Sequence, residues 1–174
     1  MDLVLLLVTL VLGLGVIVSY AIVFGRLQPG HYLKHPMWLG MNQTLIRCLV
    51  LLQLLAVVGF GVAFTSWIVQ PPTTGLFGDH PWMLPAVTAV FLLSATTWAP
   101  ATFYKVHWLV IGGLVLAALA TLTLLAGASE ERPQRWWIVV GLLLAACVTV
   151  LADGVLWNAV YIRRLLDTTT VVSR

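Results

Sequence analysis

The chain has 174 residues, of which 61% are hydrophobic and 9% charged, with a net charge of +3 and a mean hydropathy of +1.03. Soluble domains carry about 25% charged residues, so this chain lacks the charge to cover a globule in water, and lipid is the expected solvent. Its few, scattered basic groups give no footing for nucleic acid, and its length suits one helical bundle.

A membrane-spanning helix needs roughly 20 apolar residues. The first such stretch is residues 3–24, which carries no charge. A cleaved signal peptide is the competing reading. Asp2 in place of a basic start, and an apolar run too long for that role, favour a span. A polar loop follows, GRLQPGHYLKHPMWLGMNQ, with Pro-Gly and His-Pro turn signals. The second span is residues 45–69, with Arg47 near its start and Gln53 inside. QPPTTGLFGDHP then breaks the helical pattern.

The third span is residues 82–103. Pro85 lies in its first turn, where a missing N–H does no harm, and Pro100 is expected to kink or end it. A tight TFYKVHW connection leads to the fourth span, residues 106–126. There Gly113 and Ala117 form a small-xxx-small pair suited to close helix approach. GASEERPQR is a short polar turn, and residues 136–162 make a fifth span, long enough to tilt or protrude. The expected fold is therefore all-α, an integral membrane bundle of five transmembrane helices.

Five spans put the termini on opposite sides, and basic residues set the orientation. One side receives Arg26, Lys34, Arg47, Lys105, Arg163, Arg164 and Arg174. The other receives Arg132 and Arg135, offset by Glu130 and Glu131, together with Asp2 and Asp79. This bias predicts the N-terminus outside and the C-terminus inside. The sequon at Asn42 would then face the cytosol and stay unmodified.

Asp153 is the one carboxylate set deep in a predicted span. Insertion scales put Asp at a span centre at about +2.5–3.5 kcal/mol, and such residues usually mark function. It lies roughly 13–15 Å from the inner end of its helix at 1.5 Å rise per residue. On an α-helix Thr149, Trp157, Val160 and Arg164 share its face. Gln53, Thr96 and Thr97 reach a similar depth on their own helices, with Ser19, Tyr20 and Asn158 a little shallower. The outer half is mainly Leu, Val and Ala, apart from Ser66 and Thr88. This pattern predicts a polar band in the inner half, lining a partly polar cavity capped by the first loop. The competing expectation is that Asp153 bonds Gln53 or a Thr hydroxyl and only holds helices in register. An Arg47–Asp153 ion pair would need both side chains to stretch over about 10 Å of depth.

Other chemistry finds little support. His31 and His35 sit in the first loop and His80 and His107 at span ends, not where haem ligands belong. Cys48 and Cys147 fall inside apolar stretches, where a free thiol acts as a small hydrophobe, and no CxxC or Cys/His cluster suggests a metal. No Ser/His/Asp set, HExxH motif or phosphate-cradling loop occurs, so an enzyme is not expected. The eight Trp residues suit either an interfacial belt or a Trp-lined pocket.

TTWAPATF at the end of the third span resembles the Asn-x-x-Trp-x-Pro segment followed by Phe in the translocator protein family, also called tryptophan-rich sensory proteins. Trp98, Pro100 and Phe103 match it, and Thr96 stands where the family has Asn. LADGVLWNAVY resembles the family's Leu-Asn-x-x-x-Trp segment, with Trp157 matching the Trp and Asp153 in place of Asn. HPMWLG is similar to its His/Pro/Trp-rich first loop. The resemblance implies an apolar pocket for a porphyrin, sterol or similar ligand near Trp98, Asp153 and Trp157, without enzymatic turnover.

Three functions are consistent with these residues. The first is a receptor or carrier for a small hydrophobic ligand, with Trp98, Trp157 and Tyr161 as apolar walls and Asp153, Gln53, Thr96, Thr97 and Asn158 as polar contacts. The second is a structural or assembly subunit of a larger membrane complex or viral membrane. The third is a proton-coupled transporter or an oligomeric channel using Asp153. The expected partners are the lipid bilayer and further membrane chains, either copies of itself or a larger complex.

Overall fold

Short polar side chains start the first two helices. Asp2 accepts a hydrogen bond from Leu5 N at 2.9 Å, and Asn42 accepts one from Leu45 N at 2.7 Å. Each is extended and satisfies an amide that the first turn leaves without a helical partner. Asn42, the sequon residue, is thus a helix cap, and it starts its helix two residues before the expected Leu45. The computed structural model describes residues 1–26, 42–130 and 136–163. In chain order these form α1 (Leu3–Gly25), α2 (Gln43–Val69), α3 (Gly75–Asp79), α4 (Met83–Phe103), α5 (His107–Ser129) and α6 (Trp136–Ala146). α6 runs on without a break as a π-helix, Cys147–Trp157, and regains α geometry from Asn158.

Five rods are long and apolar enough to cross a membrane: α1, α2, α4, α5 and the last span, Trp136–Arg163. Large apolar side chains such as Leu10, Ile17, Leu54, Val57 and Leu119 stand exposed on their outer faces. In water so much exposed apolar surface would drive association, whereas in a bilayer it is the wetted surface. The chain has the build of a multi-pass integral membrane protein. Cys48 and Cys147 lie on these exposed faces, not in the core that a buried thiol would occupy.

α4 passes through Pro100 and ends at Phe103, one turn later. Proline withholds the N–H that the residue four positions back would accept, and the helix is closed instead by Tyr104 N donating to the Pro100 carbonyl at 2.8 Å. Lys105 then takes φ +59°, a left-handed turn that aims the chain straight back into α5.

α4 lies between α1 and α5, and the last span lies between α5 and α2. α1 packs along α4 and touches α2 only lightly. One such touch is at the end of the bundle that carries the N-terminus, named the outer end after its expected orientation, where Asp2 N donates to the Ile68 carbonyl at 2.9 Å. α2 and α6 meet backbone to backbone at Gly59 and Gly141, where a Cβ on either would strike the other's carbonyl oxygen. Phe60 of α2 and Phe91 of α4 meet with ring centroids 4.2 Å apart.

The outer end is closed by α3, which falls within the segment that the sequence marks only as a breaker. Phe77 is 1% exposed and packs edge-on to Trp67, with centroids 5.7 Å apart. Glu130 fastens α3 by accepting from Leu76 N at 2.7 Å. Gly75, at φ +69°, lets the chain pass close against Glu130.

The tryptophans fall into an exposed and a buried group. Trp82, Trp108, Trp136 and Trp137 are exposed near helix ends, as in an interfacial belt. Trp67, Trp98 and Trp157 are buried. Trp38 lies outside the described residues, as do His31, His35 and the rest of the expected first-loop cap.

Candidate functional site

The apolar core is not continuous. An outer cluster includes Leu5, Ala56, Phe60, Trp67, Phe91, Leu124, Leu142 and Val148. An inner cluster includes Val23, Ile46, Trp98, Val110, Leu114, Trp157 and Tyr161. Along the helices, polar residues fall between the two: Ser19 on α1, Gln53 on α2, Ser94, Thr96 and Thr97 on α4, and Thr149 and Asp153 on the π-helix. α1, α2, α4 and the last span therefore contribute polar groups near this level, and α5 adds Thr121 beside Thr149.

Most of the hydroxyls in this layer are spent within their own helices. Ser94 donates to Val90 O, Thr96 to Leu92 O and Thr97 to Ser94 O. The two threonines also face different neighbours. Thr96 lies against Gly15 of α1, and Thr97 lies against Gly113 of α5. Thr149 joins α5 by bonding Thr121 at 3.0 Å, in addition to Ala145 O. The carboxylate of Asp153 has a different environment. Gln53 supplies it with a side-chain hydrogen bond, and the Tyr20 hydroxyl lies within its electrostatic reach. Arg47 is exposed, so the α2 group that faces the carboxylate is Gln53 and not Arg47.

Tyr20 carries the site into the inner aromatic cluster. Its hydroxyl accepts from Trp98 Nε1 at 2.7 Å. Trp98 meets Tyr20 and Trp157 edge to face, with centroids 6.0 and 5.8 Å apart. Trp157 stacks on Tyr161 at 5.0 Å with the planes 19° apart. Tyr161 then reaches the first residue of α5, its hydroxyl 2.5 Å from His107 Nδ1. Rings from α1, α4, the last span and α5 thus form one connected wall. At the inner end of α1, Arg26 bonds the Tyr104 hydroxyl and lies 5.7 Å from the centre of its ring.

The π-helix sets how Asp153 is presented. Its i→i+5 bonding gives a wider turn than an α-helix, and π segments occur often at functional sites. Gly154 permits it here: a Cβ there would sit 3.0 Å from Thr149 O and 3.2 Å from the Ala118 Cβ of α5. The α-helical face expected for Asp153 is therefore redrawn. Asn158 comes one π turn after Asp153 and is buried. Its Nδ2 donates to Gly154 O at 3.2 Å, while its Oδ1 is buried without a hydrogen-bond partner. Neither the π segment nor the Tyr20–Trp98 bond is anticipated by spacing, because both depend on how each helix is rotated about its axis.

Tyr20, Gln53 and Asp153, from three different spans, are each only partly buried. α1 and α2, which carry Tyr20 and Gln53, share few contacts, so a seam runs between these two helices. No family model, no curated protein and no solved structure matches this chain.

Proposed function

We propose that the chain is a membrane-embedded receptor or carrier for a small hydrophobic ligand, held in the inner half of the bundle beside α1, α2 and the last span. The observation that carries this reading is the partial exposure of Tyr20, Gln53 and Asp153 at the level where the core is interrupted. A pure helix-register contact would instead be sealed on all sides, since a polar group left open to hydrocarbon is costly. The buried rings of Trp98, Trp157 and Tyr161 offer apolar contact area, and Asp153 and Gln53 offer the few directional contacts such sites use. The likeness to translocator proteins points the same way and nominates protoporphyrin IX and cholesterol as first probes. Titration of the purified protein in micelles, read by tryptophan fluorescence, is expected to show saturable binding of at least one probe. Asp153→Ala is expected to weaken that binding about tenfold or more, as loss of a hydrogen bond to a charged group would. Saturable binding unchanged by Asp153→Ala and by Trp98→Ala would remove the site from this position.

We further infer that the inner end faces the cytoplasm. Arg26, Arg47, Lys105 and Arg163 gather at that end, while Asp2, Asp79 and Glu130 lie at the other. Such an asymmetry places the basic end inside. In a background with Cys48 and Cys147 replaced, a cysteine at position 2 should react with an impermeant maleimide on intact cells, and one at position 163 should not. The opposite pattern would invert the bundle.

A further inference from the structure

The seam leaves hydrogen-bond acceptors open. A carboxylate has about four lone-pair sites, and among the described residues Asp153 receives one side-chain hydrogen bond, from Gln53. One π turn away, Asn158 Oδ1 is buried with no partner at all. No cationic side chain among the described residues faces the carboxylate: Arg47 is exposed, and Arg26 is engaged with Tyr104. The Tyr20 O–H is a neutral donor near the carboxylate, while other donors nearby are engaged elsewhere. Trp98 gives its N–H to Tyr20, and the Asn158 amide N–H goes to Gly154 O.

Lone charge at this depth is unfavourable, so the carboxylate needs a proton or a cation. The walls select between kinds of cation. Tyr20 lies within electrostatic reach of Asp153, and its ring leads edge to face to Trp98, which meets Trp157 in the same way. Aromatic faces attract an organic ammonium more strongly once it is desolvated. A metal ion would want several oxygen or nitrogen ligands, and no group of three His, Cys, Asp or Glu residues is gathered among the described residues.

We propose that the ligand of this site is a lipophilic amine, its ammonium paired with Asp153 and its apolar body against the Tyr20, Trp98 and Trp157 rings. This rests on the binding-site reading above and narrows it to one chemical class. The ammonium supplies charged N–H donors to the carboxylate. Its charge cancels that of the carboxylate, and its hydrocarbon replaces lipid at the seam.

The test uses two probes of the same cage shape, adamantan-1-amine and adamantan-1-ol, titrated into the purified full-length protein in micelles by calorimetry. The amine is expected to bind at least about tenfold more tightly than the alcohol, the scale of one charge-assisted contact over a neutral one. Asp153→Asn, which keeps the shape and removes the charge, is expected to abolish that preference, the amine losing at least about tenfold more affinity than the alcohol. Equal binding of both cages to the unaltered protein would overturn the amine assignment and leave the binding site standing. So would a preference that survives Asp153→Asn. Absence of binding by either cage to the folded protein would overturn the amine assignment, and failure of porphyrin and sterol as well would overturn the site itself.

Discussion

Gly59→Leu is expected to abolish the native packing of α2 on α6, with a loss of stability above about 3 kcal/mol. In lipid, helices are not driven together by the hydrophobic effect, and close backbone approach through small residues takes its place. Gly59 and Gly141 are such a crossing, and it is reciprocal: a Cβ on Gly59 would meet the Gly141 carbonyl oxygen, and one on Gly141 would lie 2.6 Å from the Gly59 oxygen. Overpacking a core with extra methylenes typically costs 1–3 kcal/mol, because neighbouring side chains shift to make room. Here the obstacle is backbone, which cannot change rotamer, so the helices must separate and give up their contacts over several turns. Even Gly59→Ala should be felt. Gly61 is the control, since nothing lies within 4 Å of a Cβ there, and Gly61→Leu should be nearly neutral. Thermal unfolding in micelles, followed by near-UV circular dichroism, compares the two. Equal melting temperatures for Gly59→Leu and Gly61→Leu would mean that α2 and α6 do not cross at these residues.

That pair also marks the boundary of what the amino-acid order reveals. Apolar length alone locates five rods, since few other structures accommodate twenty uncharged residues. Depth is legible too, because every helical residue rises by the same 1.5 Å. Counting inward places Gln53 and Asp153 at one level, and the structure has them facing each other. Rotation about the helix axis is not legible in this way. Gly59 and Gly61 look alike in the sequence, yet one lies against another backbone and the other against open space. Gly113 of the expected small-xxx-small pair does face α4, while its neighbour Gly112 faces nothing. Thr96 and Thr97, adjacent and chemically identical, turn to α1 and α5. The π segment compounds the problem by changing the angular step through Cys147–Trp157, so an α-helical wheel misassigns the partners of Asp153. α3 escapes detection for another reason. Its five residues are too few for periodicity, and only the fit of Phe77 against Trp67 and Gly127 reveals why it is there.

That fit supports the second large effect. Gly127→Leu should drive Phe77 out of the outer end of the bundle, because a Cβ at position 127 would already fall within the Phe77 ring. The expected penalty is about 1–3 kcal/mol, less than at Gly59, since a side chain on a short helix gives way more readily than a spanning backbone. Phe77→Ala alone should also destabilise, by up to about 3–5 kcal/mol if the space stays empty. Combined, the two changes address one volume: leucine enters the space that the ring vacates. The double variant should therefore be more stable than Phe77→Ala alone, with a coupling energy of about 1–3 kcal/mol in its favour. A double-mutant cycle of melting transitions in micelles measures this directly. Protease sensitivity over residues 70–82 gives an independent reading, since Gly127→Leu alone should free α3 from Trp67 while leaving Glu130 as its remaining tether through Leu76 N. Strictly additive losses would show that Gly127 and Phe77 do not share that space, and that the outer end is closed by something other than this ring.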